Sequence, residues 1–186
     1  NILKEGRREG EFGRMTSYRR FRATDLFKFN NVNLDTLTET YNQHFYLQYL
    51  AKWPNYFVAS TGAQGEIGGY IMGKVEGQQE RWHGHVTAVT VAPEFRRLGV
   101  ANMLMAYLEA VTEMYRGYFV DLYVRVSNQV AINMYKLMGY VIYRQVIGYY
   151  SGEEDAYDMR KACSRDPEKK SEIPHEPLRV PPGVYD

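Results

Sequence analysis

Six consecutive positions, Arg96-Arg97-Leu98-Gly99-Val100-Ala101, hold the residues most clearly spaced for chemistry. The β-rich run Val89-Thr90-Val91-Ala92 leads into them through Pro93, and residues at helical spacing leave them. A strand-to-helix junction collects the unbonded N–H groups and the positive dipole end of a helix N-terminus, a combination that suits a pyrophosphate. Gly99 and Ala101 are small enough for a ligand to approach the backbone, and Arg96 and Arg97 add charge. The junction lacks the Gly-Lys-Ser/Thr of a nucleoside triphosphate loop and the G-x-G-x-x-G of a dinucleotide turn. An ordinary turn with solvated arginines is the competing reading.

A second pattern follows one strand later: Asn128, Ala131, Tyr135, Gly139 and Tyr140, with Asn128, Ala131 and Tyr135 along one side of a helix. Asn128 can equally be a helix cap and Tyr135 a packed helix tyrosine. His83 and His85 alternate on a strand and face the same way, but no third metal ligand stands near them in sequence. Cys163 has Arg160, Lys161 and Arg165 for neighbours, which favours a thiolate, yet nothing implies the positioned base that a covalent mechanism needs. Arg125-Val126-Ser127 invites a phosphate reading, against a structural charge on an alternating strand.

The elements that must position these residues alternate. Tyr18 to Arg22 reads as a short strand, and Thr24-Asp25 as an N-cap for a helical region running through Leu50. Tyr56 to Ser60 and Ile67 to Glu76 read as a hairpin around Thr61-Gly62-Ala63-Gln64-Gly65, and His85 to Ala92 as a further strand. From Leu98, apolar positions 100, 104, 107, 108, 111 and 115 have helical spacing, and Val120, Leu122, Val124 and Val126 then alternate as a strand. Val130, Ala131, Met134, Tyr135 and Met138 predict the buried face of a last helix, stopped by Gly139. Tyr140 to Ile147 and Ala156 to Met159 close the pattern as strands. The sum is a single α+β domain whose mixed, mostly antiparallel sheet has one parallel neighbour pair, set either between the 80s and 120s strands or between the 120s and 140s strands.

With 186 residues, one domain plus tails is the natural division: 1–14 as an N-terminal extension or expression remnant with Met15 near the natural start, 15–163 as the domain, and 164–186 as a charged tail. Five of the seven prolines fall in that tail, which predicts loop. A net charge of +1 argues against a DNA-binding protein, and no apolar stretch reaches the ~20 residues of a membrane span. One cysteine and four histidines are a poor supply for a structural metal site. These properties suit a soluble intracellular protein. Seventeen tyrosines, eight phenylalanines and eight methionines are available to fill a core or to line a site gripping a flexible ligand.

Together the Arg96–Ala101 turn and the Asn128–Tyr140 pattern resemble the Gcn5-related N-acetyltransferase (GNAT) superfamily. The resemblance implies that the turn binds the pyrophosphate of acetyl-CoA and that two splayed central parallel strands, His85 to Ala92 and Tyr118 to Val126, take pantetheine between them. Further segments narrow it: Leu34 to Tyr41, Phe45 to Leu50, Trp82 to Thr87, Arg125 to Gln129 and Tyr149-Tyr150 are similar to the catalytic subunits of NatB N-terminal acetyltransferases, from about Met15 to about Pro174. That family acetylates the α-amino group of nascent chains beginning Met-Asp, Met-Glu, Met-Asn or Met-Gln. It also implies a large helical auxiliary subunit, ribosome association and a cytoplasmic location, with no metal and no membrane. The apolar residues Leu26, Phe27, Phe29, Phe45, Tyr46, Leu47, Tyr49 and Leu50 exceed what two small helices hide, and predict a partner surface.

On this resemblance, Val89, Val91, Arg96, Arg97, Leu98, Gly99, Val100, Ala101, Asn128 and Tyr135 are the coenzyme-binding residues. Tyr135 is the expected acid for the leaving thiolate, Asn128 holds coenzyme or a water, and Glu39 orients the ammonium or takes its proton through water. A backbone N–H around Val89 to Val91 meets the thioester oxyanion. Glu39, Tyr41, Tyr149 and Tyr150 sit where related enzymes clamp the peptide N-terminus, and His85 with Thr87 is expected to read the second substrate residue. A neutral His85 is expected to accept all four side chains and a strictly cationic one to favour acids. Two alternatives remain: a lysine or small-amine acetyltransferase on the same scaffold, and a coenzyme-binding regulatory module without turnover.

Overall fold

The computed structural model describes residues 16–33 and 38–183. The expected N-terminal extension and residues 34–37 of the Leu34 to Tyr41 segment lie outside these. The chain forms two compact units, Asn1–Lys74 with Thr87–Val111 and Val75–Val86 with Thr112–Asp186.

In the first unit the strands β1 (Ser17–Arg20), β2 (Phe57–Thr61) and β3 (Ile67–Glu76) are followed in the sheet by β4 (His83–Val91), whose residues 87–91 belong here. β1 pairs antiparallel with β2, Ser17 opposite Thr61 and Arg20 opposite Val58, and β2 pairs antiparallel with β3, Phe57 opposite Met72. All of β2 and the first seven residues of β3 are buried, which is why these strands read as near-continuous apolar runs. Their core is aromatic. Phe21 stacks on Phe57 at 4.1 Å, Phe29 meets Phe21 and Tyr46 edge-on at 5.8 and 5.2 Å, and the Tyr70 hydroxyl donates to Asn33 Oδ1 at 2.9 Å.

The expected helix from Thr24-Asp25 to Leu50 is broken into two 3₁₀ turns, Ala23–Phe27 and Asn30–Asn33, and α1 (Gln43–Lys52). Asparagines at 30, 31 and 33 compete for local backbone bonds and do not carry a helix onward. The cap of α1 is Asn42, whose side chain accepts from the Phe45 N–H at 3.0 Å, and Pro54 follows its end. Asp25 accepts the Arg22 N–H at 2.8 Å and two Arg19 guanidinium bonds at 2.7 and 2.9 Å. Of the residues expected to form a partner surface, Leu26, Phe29, Tyr46 and Tyr49 are in the core, whereas Phe27 is 80% and Leu47 44% exposed. α2 (Val100–Met114) begins in this unit and buries Val100, Leu104, Leu108 and Val111 of the expected face, with Met105 added, while Tyr107 is half-buried and Tyr115, beyond its end, is 43% exposed.

The second unit orders β4-β5-β7-β6-β8, with β5 Phe119–Arg125, β6 Val141–Tyr150, β7 Glu154–Ala162 and β8 Arg179–Val180. Two pairs are parallel where one was expected: β6/β8, and β4/β5 with Gly84 to Val86 against Val120 to Leu122. The β4/β5 pair is the 80s–120s alternative, joined by a helical crossover. The other alternative fails because β7 lies between β5 and β6, antiparallel to both. The tail expected as loop returns to the sheet: β8 pairs parallel with β6, and Val180 is 2% exposed. Its two residues suit a proline-rich edge, where no N–H is needed on the outer side. In α3 (Gln129–Leu137) Ile132 takes the buried place expected of Val130, which is 83% exposed. Gly139, at φ +94°, stops the helix as expected.

Asp25→Ala should destabilise the chain by about 2 kcal/mol, less than a fully buried pair because Arg19 is partly solvated. Burial alone pushes the Asp25 carboxyl up, but the Arg19 and Arg22 bonds outweigh it and hold its pKa down. The contribution is therefore complete above the ordinary aspartate range and lost as pH falls through the lower folded value. Urea titrations of both chains at pH 7 and pH 3 check the size and the sign.

Candidate active site

In the first unit, β4 ends at Val91, the 3₁₀ turn Pro93–Phe95 buries Phe95, and α2 opens at Val100. The chain between is exposed, and Arg97 (φ +62°) and Gly99 (φ +78°) are both left-handed. The Met103 N–H reaches the Gly99 carbonyl at 3.1 Å, so Gly99 is the residue before the first turn and the N–H groups of Val100, Ala101 and Asn102 have no acceptor within the helix. Leu98 is 51% exposed, and Arg96 bonds back through Nε to the Val91 carbonyl at 3.3 Å. The turn has the donors, charge and open approach that an anionic phosphate ester requires.

β4 alternates strictly, so His83, His85, Thr87, Val89 and Val91 share its half-buried side. Thr87 Oγ1 bonds the Tyr49 hydroxyl at 2.9 Å, which ties α1 to that face. The Tyr41 N–H donates to the Tyr46 hydroxyl at 3.2 Å and the Tyr41 ring stacks on Phe45 at 4.3 Å, fixing the end of the segment that carries Glu39. Glu39 itself is exposed. The Thr38 hydroxyl lies 3.3 Å from that of Thr90, which in turn donates to the Val32 carbonyl at 2.9 Å.

In the second unit, His85 Nδ1 lies 2.8 Å from Asp121 Oδ1, and His83 Nε2 lies 3.5 Å from Asp121 Oδ2. The other His83 nitrogen faces the Arg81 carbonyl at 2.6 Å, and the His83 ring stacks on Phe119 at 4.6 Å. Burial by itself pushes the Asp121 carboxyl up, but His85, His83, the His85 hydrogen bond and Arg160 outweigh it and hold its pKa at about 2. Asp158, wholly buried, takes Arg144 Nε at 2.9 Å and Arg160 at 3.1 Å; burial, with Asp121 nearby, pushes its carboxyl up.

A line of aromatic contacts runs from this cluster. His85 lies 5.9 Å from the Tyr123 ring, Tyr123 stacks on Tyr149 at 4.5 Å, and Tyr149 meets Tyr150 edge-on at 5.0 Å. The Tyr150 hydroxyl donates to the Tyr123 carbonyl at 3.2 Å. Adjacent residues of a regular strand face opposite ways, but the β6/β7 register shifts between Val146 and Tyr150, and the irregularity lets both tyrosines reach Tyr123. Arg125 lies over the Tyr150 ring at 4.0 Å and pairs with Glu154 at 2.9 Å, and Glu154 also accepts from Ser127. The Arg125–Ser127 segment is structural here.

Asn128 accepts the Ala131 N–H at 3.1 Å and so caps α3. Tyr135 is 7% exposed, packs edge-on to Tyr140 at 6.0 Å, and has its pKa pushed up by burial, so it keeps its proton at any working pH. Cys163 is buried. Asp121 escaped the sequence reading; its only signal was a charge inside the apolar run Phe119-Val120-Asp121-Leu122-Tyr123. Among the described residues no group of three His, Cys, Asp or Glu side chains is arranged for a metal ion, and no helix is long and apolar enough to cross a membrane.

Residues 24–140 match the acetyltransferase (GNAT) family. The chain belongs to that family. Among its relatives, N-alpha-acetyltransferase 20 of Dictyostelium discoideum is 63% identical over 161 residues, 86% of this chain and 93% of that protein. The N-terminal acetyltransferase B complex catalytic subunit NAA20 of Arabidopsis thaliana is 60% identical, over 86% and 92% of the two chains. The crystal structure of Chaetomium thermophilum Naa20 in complex with a bisubstrate analogue aligns with a TM-score of 0.85 and 44% identity, over 91% and 100%. The α+β fold and the mixed sheet are those of a GNAT domain.

Gly99→Ala tests the turn. A Cβ at Gly99 would meet nothing within 4 Å, so the substitution is opposed by the left-handed backbone alone. The expected loss is about 1 kcal/mol in urea denaturation with an unchanged m-value.

Proposed function

We propose that this chain is the catalytic subunit of a NatB-type N-terminal acetyltransferase, which moves acetyl from acetyl-CoA to the α-amino group of chains beginning Met-Asp, Met-Glu, Met-Asn or Met-Gln. The observation that carries the reading is the exposed turn from Arg96 to Ala101, with left-handed Arg97 and Gly99 at the start of α2, in a chain similar to NatB catalytic subunits over most of its length. The turn takes the pyrophosphate, and Val89 and Val91 belong to the strand whose N–H groups serve the coenzyme and the thioester oxygen.

The reaction asks little of the protein. An α-amine with a pKa near ~8 already supplies the neutral nucleophile at pH 7, and placing it beside the thioester provides most of the acceleration. The amine nitrogen bonds the acetyl carbon, the carbon–sulfur bond breaks, the amine gives up a proton and the sulfur takes one. Glu39 receives or relays the amine proton through water. Tyr135 meets the sulfur. Because burial holds its proton tightly, its part is to donate a hydrogen bond to the departing thiolate, which takes its proton from water. Asn128, besides capping α3, offers its amide nitrogen to coenzyme or water.

Tyr41, Tyr149 and Tyr150 hold the first substrate residue, their rings suited to methionine and their hydroxyls to peptide backbone. His85 and Thr87 read the oxygen of the second side chain. An auxiliary subunit completes the enzyme, as the Arabidopsis relative's name as a complex subunit supports. Exposed Phe27 and Leu47 are its contact candidates, and the pair works in the cytoplasm on ribosome-borne chains.

Thiol release with the auxiliary subunit present should be confined to Met-Asp, Met-Glu, Met-Asn and Met-Gln peptides. Activity on an N-blocked peptide with an internal lysine moves the chain to the lysine class, and silence on all peptides despite coenzyme binding makes it a regulatory module. Tyr135→Phe should lower kcat about ten- to a hundredfold and spare the coenzyme KM; unchanged turnover removes Tyr135 from the chemistry. His85→Ala should erase the preference for the four second residues over Met-Leu.

A further inference from the structure

Asp121 sits inside the second unit with 5% of its surface exposed, on β5, one strand from His85 in the parallel pair. In that register His85 stands opposite Asp121. The contact at 2.8 Å joins His85 Nδ1 to Asp121 Oδ1. An ionised carboxylate is acceptor only, so a contact this short requires the proton on Nδ1. The other carboxylate oxygen faces His83 Nε2 at 3.5 Å. Behind the pair stand Arg160, Asp158 and Arg144, and the Tyr123 ring flanks His85.

This arrangement changes what His85 can offer a substrate. With Nδ1–H committed to Asp121, a neutral ring presents only the lone pair of Nε2. A lone pair can accept from the amide of asparagine or glutamine, but it repels the carboxylate of aspartate or glutamate. The doubly protonated ring presents Nε2–H, which meets a carboxylate or an amide oxygen equally well as a donor and adds charge attraction to the first. The expectation that neutral His85 serves all four residues therefore fails on hydrogen-bond direction, once Asp121 is seen. A histidine that takes acids here needs a counter-charge behind it, and Asp121 is that charge.

We propose that Asp121 is the positioning residue of the second-residue pocket: it accepts the hydrogen bond donated by His85 Nδ1–H, aims Nε2 at the substrate side chain, and balances the doubly protonated ring that Met-Asp and Met-Glu substrates require. The inference rests on the reading of His85 given above. It assigns to a buried side chain, which touches no substrate, the tolerance of one pocket for both acids and amides.

The test compares kcat/KM for Met-Asp and Met-Asn peptides, whose α-amines are alike, in the assembled enzyme. Asp121→Asn should lower the Met-Asp value about tenfold and the Met-Asn value less than threefold, chiefly through KM, because only the acid loses its charged donor. In a His85→Ala background the same substitution should leave the ratio unmoved. Equal losses on both peptides, or a ratio unmoved in the presence of His85, overturn the proposal, since a merely structural aspartate affects both alike. Failure of the underlying reading looks different: His85→Ala then leaves Met-Asp no better and no worse relative to Met-Leu, whatever Asp121→Asn does. If Asp121→Asn does not fold, nitrogen-15 spectra of the histidine-labelled wild-type chain decide. His85 Nδ1 carrying its proton supports the proposal, and a bare Nδ1 overturns it.

Discussion

The buried carboxylate of Asp121 is the constraint around which the second unit is organised. Taking a carboxylate out of water costs several kcal/mol unless partners replace the solvent, and here two histidines of β4 face its two oxygens. Each of these contacts also fixes a strand. The β4/β5 pair is parallel, with slanted backbone bonds over Gly84 to Val86, and the side-chain bond between His85 and Asp121 lies at the centre of that register. Asp158, opposite Tyr123 of β5 on β7, is met in the same way by Arg144 and Arg160. Two carboxylates and two guanidiniums thus share one interior. Their proximity drives the two acids apart: Asp121 is held ionised while Asp158 is pushed up. The acid that contacts His85 is the one kept charged.

Tyrosine is divided between two physical tasks. In the first unit Tyr46 and Tyr70 are buried and their hydroxyls are bonded to the Tyr41 N–H and to Asn33. They are core residues whose polar tips are satisfied internally. In the second unit Tyr149 is 45% exposed while its ring lies flat on Tyr123, and Tyr150 is pinned by its hydroxyl and by Arg125. That is the arrangement of a stiff surface, with aromatic faces held at fixed angles and little side-chain entropy left to lose.

Legibility in the sequence followed the range of the interactions. β4 was legible because Val86 to Val91 is a β-rich run, α2 because Val100, Leu104, Leu108 and Val111 keep helical spacing, and the stop of α3 because a glycine follows its apolar face. The arginine turn was legible because strand, proline, glycine and helix follow one another within a dozen residues. What escaped was decided at a distance or by competition. The Thr24 to Leu50 segment holds enough apolar residues for a helix, but its asparagines break it and the aromatic core takes Phe29 and Tyr46 at angles no single helix face would give. α3 buries Ile132 in place of Val130, a shift of about 200° around the helix that only packing decides. Val180 joins β6 from a tail whose prolines argue for loop. Asp121 could not be paired with His85 from local pattern, since 36 residues separate them.

The same distances bear on which amine this chain acetylates. A lysine ε-amine, with a pKa near ~10.4, is almost wholly protonated at pH 7, so an enzyme acting on it needs a strong base beside the nucleophile. Three described carboxylates are already engaged: Asp121 by two histidines, Asp158 by two arginines, Glu154 by Arg125 and Ser127. Glu154 is held below the usual range by the Ser127 and Arg125 bonds, which makes it a poorer base still. Tyr135 is held protonated and cannot serve. With these carboxylates engaged, an α-amine, partly neutral before it binds, is the nucleophile that asks least of the protein.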